Sequence, residues 1–426
     1  MHKPPRRSYT RLAGLAAVAL ALVAVAGCAP DNTAAWRSPG SGMPSGEAGG
    51  AGGVGVKKAP GEFKITPAAD TTDVSVLDPV NVTAKDATLE TVTVANADGK
   101  QVSGEFDAAH KTWHTTEYLG YGKQYKVTAD GTNSAHQHIE QVASFTTLKP
   151  PNMTQPYLQA SASHLLQDGG TYGVGQPVIV HWDEPIPDKA AAQRTLQVTT
   201  SPEVEGAWHW NGNQEVQWRP KEYWKSGTQV TVKATVYGKD LGNGLYGQSD
   251  VSASFKIGQS KIAIADSASK IMKVYVDGEL VKTIPVSMGM GGETKGANGQ
   301  TIDFWTRSGP HVVIGKAPVT HMSSASYGLT DKSSKFYYDE DIKKTVQISY
   351  SGEYLHLADW NIWAHGHTNT SHGCINIGPA NIDWIYNNFG PGDVVDVRNT
   401  PKQLQLWDSP GGWNMSWDDW VKGSAL

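Results

Sequence analysis

The segment His365-Gly-His-Thr-Asn-Thr-Ser-His-Gly-Cys-Ile-Asn376 is the most informative part of this chain of 426 residues. It places Cys374 two residues after His372, and the only other cysteine of the chain, Cys28, lies near the N-terminus. A lone thiol beside an imidazole is typical of a nucleophile and its general base. The segment therefore predicts covalent catalysis by Cys374.

The sequence around this segment resembles the signature of the L,D-transpeptidases, enzymes with a YkuD-type catalytic domain that cross-link bacterial peptidoglycan. That signature is a histidine, a spacer and then Ser/Thr-His-Gly-Cys-apolar-Asn. Here it runs from His356, sixteen residues before His372, to Asn376. One departure is Leu357-Ala-Asp-Trp360, where the family more usually has Ser-Ala-Pro-Trp. Actinobacterial lipoproteins of the family carry two immunoglobulin-like (Ig-like) domains ahead of the catalytic one.

The chemistry that the motif indicates starts from a thiol, which is mostly protonated at neutral pH and needs a base. His372 is expected to take the proton of Cys374 and to return it to the leaving amine. Ser371 is expected to hold the imidazole through its carbonyl or hydroxyl oxygen. Backbone amides near Gly373 and Cys374 are expected to receive the oxyanion, and Gly373 permits close approach of the substrate.

The resemblance adds further residues to the predicted site. In the family the distal histidine, here His356, lines the site and helps to bind or polarise the substrate. The residue matching Asn376 positions the substrate or a loop. Upstream, the sequence resembles the start of the family's active-site lid, which makes Met322, Tyr327 and Tyr338 candidate substrate contacts. Ordinary packing is the alternative for these three.

The resemblance also implies a reaction. The donor is a tetrapeptide stem of peptidoglycan, and cleavage before its terminal D-Ala would form a thioester on Cys374. An amine on the third residue of a neighbouring stem would resolve the thioester into a 3→3 cross-link. Water would instead make the site an L,D-carboxypeptidase, and a protein amine would attach proteins to the wall. Carbapenems, which mimic the acyl donor, are expected to acylate the same cysteine.

Other interpretations of the motif remain open. The side chains of His356, Asp359, His365, His367 and His372 are potential zinc ligands, and two of them would share one face of a strand. Structural zinc usually takes spaced cysteine pairs, however, so no metal or cofactor is predicted. A papain-like peptidase would have its cysteine far before the histidine. A non-catalytic wall-binding lipoprotein would not need the Ser-His-Gly-Cys sequence.

Residues 1–27 resemble a lipoprotein signal peptide. Basic residues precede an apolar stretch from Leu12 to Ala26, which is short for a membrane span and leads into a lipobox-like Val25-Ala-Gly-Cys28. We expect cleavage before Cys28 and lipidation of its sulfur, with an ordinary secretory peptide as the alternative. The protein would then lie at the outer face of the cell membrane and reach into the wall. Cys374 would be left as a free thiol in an exported protein, which indicates a reactive role.

The rest of the N-terminal region excludes one class of partner and predicts a linker. The first 27 residues contain four basic and no acidic side chains, so their removal would take the formal net charge from −5 to −9. Such an acidic chain is not expected to bind nucleic acid. Residues 28–60, rich in Gly, Ser, Pro and Ala, are predicted to carry the lipid anchor and to form a flexible tether.

Short alternating strands follow, and they contain an internal repeat. Five residues recur with an offset of 105, namely Trp113, Tyr118, Gly122, Gln124 and Ala129 as Trp218, Tyr223, Gly227, Gln229 and Ala234. This spacing predicts two Ig-like β-sandwiches, at residues 61–149 and 150–257. The tryptophans of the repeat are expected to lie in the cores rather than to bind ligands.

Residues 258–400 are predicted to form a mostly β catalytic domain. Asp277-Gly278 lies between two alternating runs and predicts a tight hairpin. One clear helix is predicted after Pro379, where apolar residues recur at helical spacing up to Phe389. Residues 401–426 contain four tryptophans, and we expect this segment to dock on the catalytic domain or on the preceding sandwich.

Overall fold

The computed structural model describes residues 61–426. The predicted signal peptide, the tether and the lipidation site at Cys28 lie outside the described residues, so these three stay predictions. No helix within residues 61–426 combines the length and the apolar character that crossing a membrane requires. Strands dominate the described chain, as predicted.

The first part of the described chain forms two antiparallel sheets, with strand orders β1-β2-β5-β4 and β3-β6-β7. Their strands are β1 (Glu62–Thr66), β2 (Asn81–Lys85), β3 (Ala87–Asn96), β4 (Gly104–Phe106), β5 (Thr112–Thr115), β6 (Gln124–Asn133) and β7 (His138–Thr146). Alternation of buried and exposed residues along β5 and β6 directs every second side chain into one apolar core.

The second part also forms two main sheets, with strand orders β10-β9-β12-β15-β14 and β11-β18-β16-β13, and a small β17-β8 pair. Its elements are β8 (Asn152–Thr154), β9 (Pro156–Ser161), β10 (His164–Leu165), β11 (Gly170–Tyr172), β12 (Val178–Trp182), α1 (Lys189–Arg194), β13 (Leu196–Ser201), β14 (Gly206–Asn211), β15 (Glu215–Pro220), β16 (Gln229–Ala234), β17 (Leu245–Gly247) and β18 (Val251–Ile257). Its core contains buried residues from both main sheets.

The repeated tryptophans are core residues, as the sequence predicts. Trp113 and Trp218 are both buried, each on an inner strand of its sheet. Each ring lies against a glycine of the neighbouring strand, because a Cβ atom at Gly104 would come within 2.1 Å of Trp113 and one at Gly206 within 1.9 Å of Trp218. The two copies thus share a tryptophan–glycine contact that residue spacing alone did not reveal.

The third part is built on one nine-stranded mixed sheet with the order β24-β29-β19-β20-β21-β28-β27-β26-β25, beside a small β22-β23 pair. Its elements are β19 (Lys261–Asp266), β20 (Ile271–Val276), β21 (Glu279–Ser287), β22 (Glu293–Lys295), β23 (Thr301–Asp303), β24 (Gly309–Val312), β25 (Gly315–Ser323), β26 (Asp339–Gln347), β27 (Tyr354–Leu357), β28 (Ile375–Ile377), α2 (Pro379–Asn388) and β29 (Val394–Arg398). The strands β28 and β27, near the middle of this order, flank the motif cysteine in sequence.

Two local predictions for this part are confirmed. The turn Asp277-Gly278 joins β20 to β21, and both residues have positive φ (49° and 89°), as a tight hairpin turn requires. The predicted helix is α2, which has Pro379 in its first turn and buries Ile382 and Ile385. The described residues contain two further helices, α1 and α3 (Trp417–Val421), which are too short for a periodic apolar pattern to predict.

The C-terminal segment docks mainly on the second sandwich. Trp420 is buried and its Nε1 donates a hydrogen bond to the Ala207 carbonyl (2.9 Å), while Trp413 Nε1 donates to the Gly175 carbonyl (2.8 Å). The guanidinium carbon of Arg219 lies 4.6 Å from both indole centres. Docking is thus as predicted, but not every tryptophan is covered. Trp407 remains 59% exposed, because its short turn directs the neighbouring Asp408 inward instead.

Hydrogen bonds also cross between the second and third parts. The amides of Gly173 and Gly175 donate to the carbonyls of Pro391 and Gly392, at 2.9 and 2.8 Å. Val394 of β29 contributes to the core of the second sandwich. The predicted domain limits therefore stay predictions, since packing is continuous across this junction.

Candidate active site

The parallel pairing of β27 and β28 builds the centre of the site. It sets His356 opposite Asn376, while their neighbours Leu355 and Ile375 are fully buried in the sheet core. Cys374 immediately precedes β28. Since side chains alternate along a strand, the apolar residues anchor the two strands and the intervening polar residues reach the opposite face. The motif spacing in sequence thus becomes proximity in space.

Ser371 organises the backbone of the cysteine turn. Its hydroxyl donates to the Cys374 carbonyl (2.6 Å) and accepts from the Gly373 amide (3.2 Å). Its own carbonyl accepts from the Met290 amide (2.8 Å). Neither oxygen is hydrogen-bonded to His372, contrary to the expected role of Ser371 in holding that ring. The hydroxyl serves the cysteine turn, and the carbonyl joins this turn to the segment that contains Met290.

Gly373 is required by the backbone. Its φ of 145° lies in a region that side chains disfavour, and its carbonyl accepts a hydrogen bond from Thr306 Oγ1 (2.7 Å). The amide of Gly373 is already engaged by Ser371, although it was expected to receive the oxyanion. A second backbone amide, that of Tyr354, is directed at the cysteine sulfur. Tyr354 is thus a candidate oxyanion donor that the motif did not indicate.

The thiol of Cys374 is neutral at rest. Burial raises its pKa to about 12, against the stabilising Tyr354 amide, and the nearby charge of Glu353 raises it further. The sulfur lies 3.8 Å from the Gly352 carbonyl, to which the thiol donates. The thiolate is therefore not preformed, and a proton acceptor must act during attack.

His356 is suited to accept that proton. Its Nδ1 lies 2.8 Å from the Leu357 carbonyl, which can only accept, so Nδ1 carries the hydrogen and Nε2 has a free lone pair. Burial lowers its pKa to about 4, which keeps the ring neutral. The departure at Leu357 leaves this contact intact, because a backbone carbonyl makes it.

His372 has a different environment. Its ring packs edge-on against Phe304, and the centres of these two rings are 4.9 Å apart. It also packs against the tilted ring of Tyr338, with the ring centres 5.0 Å apart. Within the described residues its Nε2 is buried without a hydrogen-bond partner. Burial lowers the pKa of His372 as well, so this ring is also biased towards the neutral form. Its tautomer, however, is not fixed by a hydrogen bond as that of His356 is.

Two cavities meet at Cys374, one of about 540 Å³ and one of about 180 Å³. Tyr327 and Gly373 line the larger cavity, and His356 and Asn376 line the smaller. Residues common to both are Met322, Tyr338, His372 and Cys374. With Ser371 in the smaller cavity, every predicted site residue of the described chain borders one of these spaces. Of the lid residues, Met322 lies near the end of β25, Tyr327 ends the 3-10 helix Ser324–Tyr327, and Tyr338 immediately precedes β26.

Sequence reasoning missed a buried ion pair behind the nucleophile. Glu353 accepts from the Arg307 amide (2.7 Å) and from Nε2 of the fully buried His311 (2.9 Å). The Gly373 Cα faces this carboxylate, since a Cβ there would lie 4.0 Å from Glu353 Oε1. The one sequence feature that could have indicated this pair is Glu353 itself, an acidic residue immediately before the apolar residues of β27. Its partner His311 lies outside the motif.

The C-terminal segment also supports the site. Asp408 accepts from the amide of Ser351 (2.6 Å) and from its hydroxyl (2.7 Å). Ser351 precedes Gly352, whose carbonyl accepts the thiol hydrogen. Burial raises the pKa of Asp408. A residue beyond the predicted catalytic domain therefore holds the loop that contacts the nucleophile.

The potential zinc ligands are not arranged as a metal site. In residues 61–426, no three His, Cys, Asp or Glu side chains are grouped so that they could hold an ion. His365 and His367 lie in a turn rather than on a strand, which corrects that expectation. His365 Nε2 donates to Asn361 Oδ1 at 3.1 Å. This geometry gives a structural role to at least one histidine of the set.

Comparisons with known proteins agree with this geometry. A model of the L,D-transpeptidase catalytic domain (YkuD) matches residues 260–397, and a model of a bacterial Ig domain matches residues 71–240. L,D-transpeptidase 2 of Mycobacterium tuberculosis is 40% identical over 353 residues, covering 83% of this chain and 82% of that protein. L,D-transpeptidase 5 of the same species is 32% identical over 381 residues, covering 87% and 79%.

A solved structure is similar as well. L,D-transpeptidase 3 from Mycobacterium tuberculosis, in complex with a faropenem-derived adduct, is 28% identical and aligns with a TM-score of 0.44. The alignment covers 56% of this chain and 98% of that one. With a catalytic-domain match around Cys374 and a relative that shares two fifths of its residues over most of both chains, this protein belongs to the L,D-transpeptidase family.

Proposed function

We propose that this enzyme forms 3→3 cross-links between tetrapeptide stems of peptidoglycan, through a thioester on Cys374. The observation that carries the proposal is a free, neutral thiol at the junction of two cavities, next to an imidazole of fixed tautomer. Acyl transfer between two large substrates needs one nucleophile that both can reach. A single cavity would serve hydrolysis equally well.

In the first step, Cys374 Sγ attacks the carbonyl before the donor's terminal D-Ala. His356 Nε2 takes the thiol proton, since this nitrogen has a free lone pair in the cavity that Cys374 borders. The Tyr354 amide is directed at the reacting centre and would stabilise the oxyanion. Collapse breaks the C–N bond, and protonated His356 returns the proton to the departing D-Ala amine.

The sequence predicted His372 as this base, and that assignment stays a prediction. Its unpartnered Nε2 and its aromatic surroundings support a role in shaping the site around the thioester. Substitution of each histidine separates the two assignments, as set out in the Discussion.

Carbapenems would acylate the same sulfur. A β-lactam carbonyl substitutes for the scissile carbonyl of the donor. Attack by Cys374 Sγ forms a C–S bond and breaks the lactam C–N bond, which leaves a thioester on Cys374. A relative has been solved with an adduct derived from a related β-lactam, faropenem. The expected product is a single covalent adduct on the protein, visible by mass spectrometry of the intact chain.

The decisive experiment is analysis of muropeptides after incubation with the purified enzyme. Isolated tetrapeptide-containing muropeptides should give a dimer with loss of one D-Ala, and fragmentation should locate the bond between two third residues. Tripeptide monomers alone would indicate an L,D-carboxypeptidase instead. Transfer to an added protein amine, without dimers, would favour attachment of proteins to the wall.

We also propose that the enzyme is exported and is anchored at the outer face of the membrane by lipid on Cys28, with residues 28–60 as its tether. The support is the basic and apolar leader with its lipobox-like end. Labelling of cells with a fatty-acid analogue should mark the wild-type protein in the membrane fraction. Cys28→Ser should lose both the label and the membrane association, and labelling that persists would refute the anchor.

A further inference from the structure

The smaller cavity presents hydrogen-bond acceptors without partners. Asn376 is 3% exposed, and within the described residues its Oδ1 is buried with no hydrogen bond. His356 presents the lone pair of Nε2, since its Nδ1 donates to Leu357. A buried amide oxygen is costly without a donor, so its position in a cavity indicates a donor ligand.

A carboxylate borders the same space. Glu340, an exposed residue of β26, lines the smaller cavity, and its carboxylate makes no hydrogen bond or ion pair with any residue that the structure describes. Its neighbours on β26 differ, because Asp339 and Asp341 both contact His321, at 3.0 and 2.9 Å. The acid that faces the cavity is thus the one that lacks a cation.

The larger cavity shows the opposite pattern. Asp303 there accepts two hydrogen bonds from the Arg307 guanidinium (2.8 and 3.2 Å), and Glu353 is paired with His311. Its acidic side chains already have side-chain partners. Only the smaller cavity combines an unpaired carboxylate with neutral acceptors, which is the complement of a cation that carries several N–H donors.

We propose that the smaller cavity binds the primary ammonium group of the acceptor, with Glu340 as its counter-charge and Asn376 Oδ1 and His356 Nε2 as hydrogen-bond acceptors. This inference rests on the proposed function and names the second substrate of the same site: an alkyl ammonium on a side chain. The donor stem then occupies the larger cavity. An ammonium carries three N–H donors and one positive charge, which matches the set, whereas water offers two hydrogens and no charge.

The proton balance of the second half-reaction follows from this arrangement. The ammonium gives one proton to His356 Nε2, and the resulting amine attacks the thioester carbonyl. A C–N bond forms and the C–S bond breaks. The sulfur takes up the proton held by His356, and the second proton of the attacking nitrogen leaves to solvent. The enzyme returns to its neutral thiol, and no other reactant is required.

The test is the partition of the acyl-enzyme between an amine and water. The donor is a tetrapeptide, the acceptor is a tripeptide with a free side-chain amine, and both amide formation and hydrolysis are measured as the acceptor concentration is varied. Glu340→Gln should raise the acceptor KM by about threefold to fivefold, since the counter-charge of the ammonium group is lost from an exposed side chain. That increase should exceed any change in the rate of acylation by the donor.

Asp341→Asn is the matched control. It removes the same charge one residue further along β26, from a side chain that is paired with His321 and does not line the smaller cavity. Its acceptor KM should stay within about twofold of wild type. An unchanged KM in Glu340→Gln, or equal increases in the two variants, would overturn the proposal.

The failure of this inference differs from the failure of the proposed function. If wild-type Cys374 is never acylated by tetrapeptide donor or carbapenem, the proposed function fails. If acylation proceeds but the partition ratio does not depend on Glu340, only the ammonium site fails. As a second variant, Asn376→Leu removes the unpartnered oxygen, and it should lower the ratio of amide formation to hydrolysis.

Discussion

The second sandwich and the region around Cys374 bury polar groups in different ways. In the sandwich, Gln193 Oε1 accepts from Trp210 Nε1 at 3.0 Å. Within residues 61–426, the buried sandwich side chains with an unpartnered polar atom line neither cavity at Cys374; they are Gln159, Gln176, Trp182 and Arg219. Around Cys374, the buried Nε2 of His372 and Oδ1 of Asn376 have no partner among the described residues. Both regions of the described chain therefore bury polar atoms without partners, but only those around Cys374 border a cavity that a ligand of the nucleophile could enter. The predictions below test this division.

The largest effect is expected at the nucleophile. Cys374→Ala should abolish cross-linking and carbapenem acylation, because no other thiol lies within residues 61–426. The midpoint of unfolding should change little, since only one sulfur is removed. Intact-protein mass spectrometry and a thermal melt measure the two properties, and an adduct on any other residue would refute the assignment.

The next effect separates the two histidines. His356→Ala should lower the rate of acylation by roughly 10²–10⁴-fold, the usual range for loss of a general base. His372→Ala should lower it less, because no hydrogen bond fixes the tautomer of that ring. Stopped-flow acylation of both variants provides the comparison. A larger loss in His372→Ala would restore that residue as the base.

Substitutions in the second sandwich should change the free energy of unfolding rather than the rate of acylation. Trp218→Ala should destabilise the protein by about 3–5 kcal/mol, the usual cost of removing a buried aromatic ring. Trp407→Ala, which truncates an exposed tryptophan, should stay within about 0.5 kcal/mol of wild type. Denaturant unfolding measures both. If acylation by the folded Trp218→Ala protein falls tenfold, the two regions are not separable.

The smallest effect concerns pH. Burial lowers the pKa of His356 to about 4, so the base stays unprotonated as pH falls from 8 to about 5.5. Burial raises the pKa of Cys374 to about 12, so the thiol stays protonated over the same range. The acylation rate should therefore be nearly flat between these values. An inflection near pH 6.5 would mean that an imidazole with an ordinary pKa controls the step.

Sequence predicted the fold class well, and the residues that it proposed for the site border the two cavities at Cys374, for identifiable reasons. Alternation and the tryptophan repeat are local patterns that burial imposes directly. The residues of the cysteine motif are close together in the sequence, so their proximity in the folded protein could be predicted. The contacts that sequence did not predict join distant segments. Examples are Asp408 with Ser351 and His311 with Glu353, which no local pattern encodes.

The role of each site residue was harder to predict from sequence than its presence near Cys374. Ser371 was expected to orient an imidazole, but its hydroxyl serves the cysteine turn and its carbonyl accepts from the Met290 amide. His356 and His372 look alike as residues, and only the Leu357 carbonyl distinguishes their tautomers. Such roles depend on which lone pair faces which donor. That geometry is determined by backbone conformation rather than by residue type.

The position of Arg219 between tryptophan rings has a consequence for salt tolerance. Besides contacting those rings, its guanidinium donates hydrogen bonds to the neutral carbonyls of Pro220 (3.3 Å) and Met415 (3.1 Å), and it has no acidic partner within residues 61–426. Burial lowers its pKa to about 10, so it remains a cation in the physiological range. Because mobile ions screen exposed pairs such as Lys422 with Asp419 far more than buried contacts, attachment of the C-terminus should be almost independent of ionic strength. The loop that Asp408 holds beside the nucleophile should keep its geometry over the same range of salt.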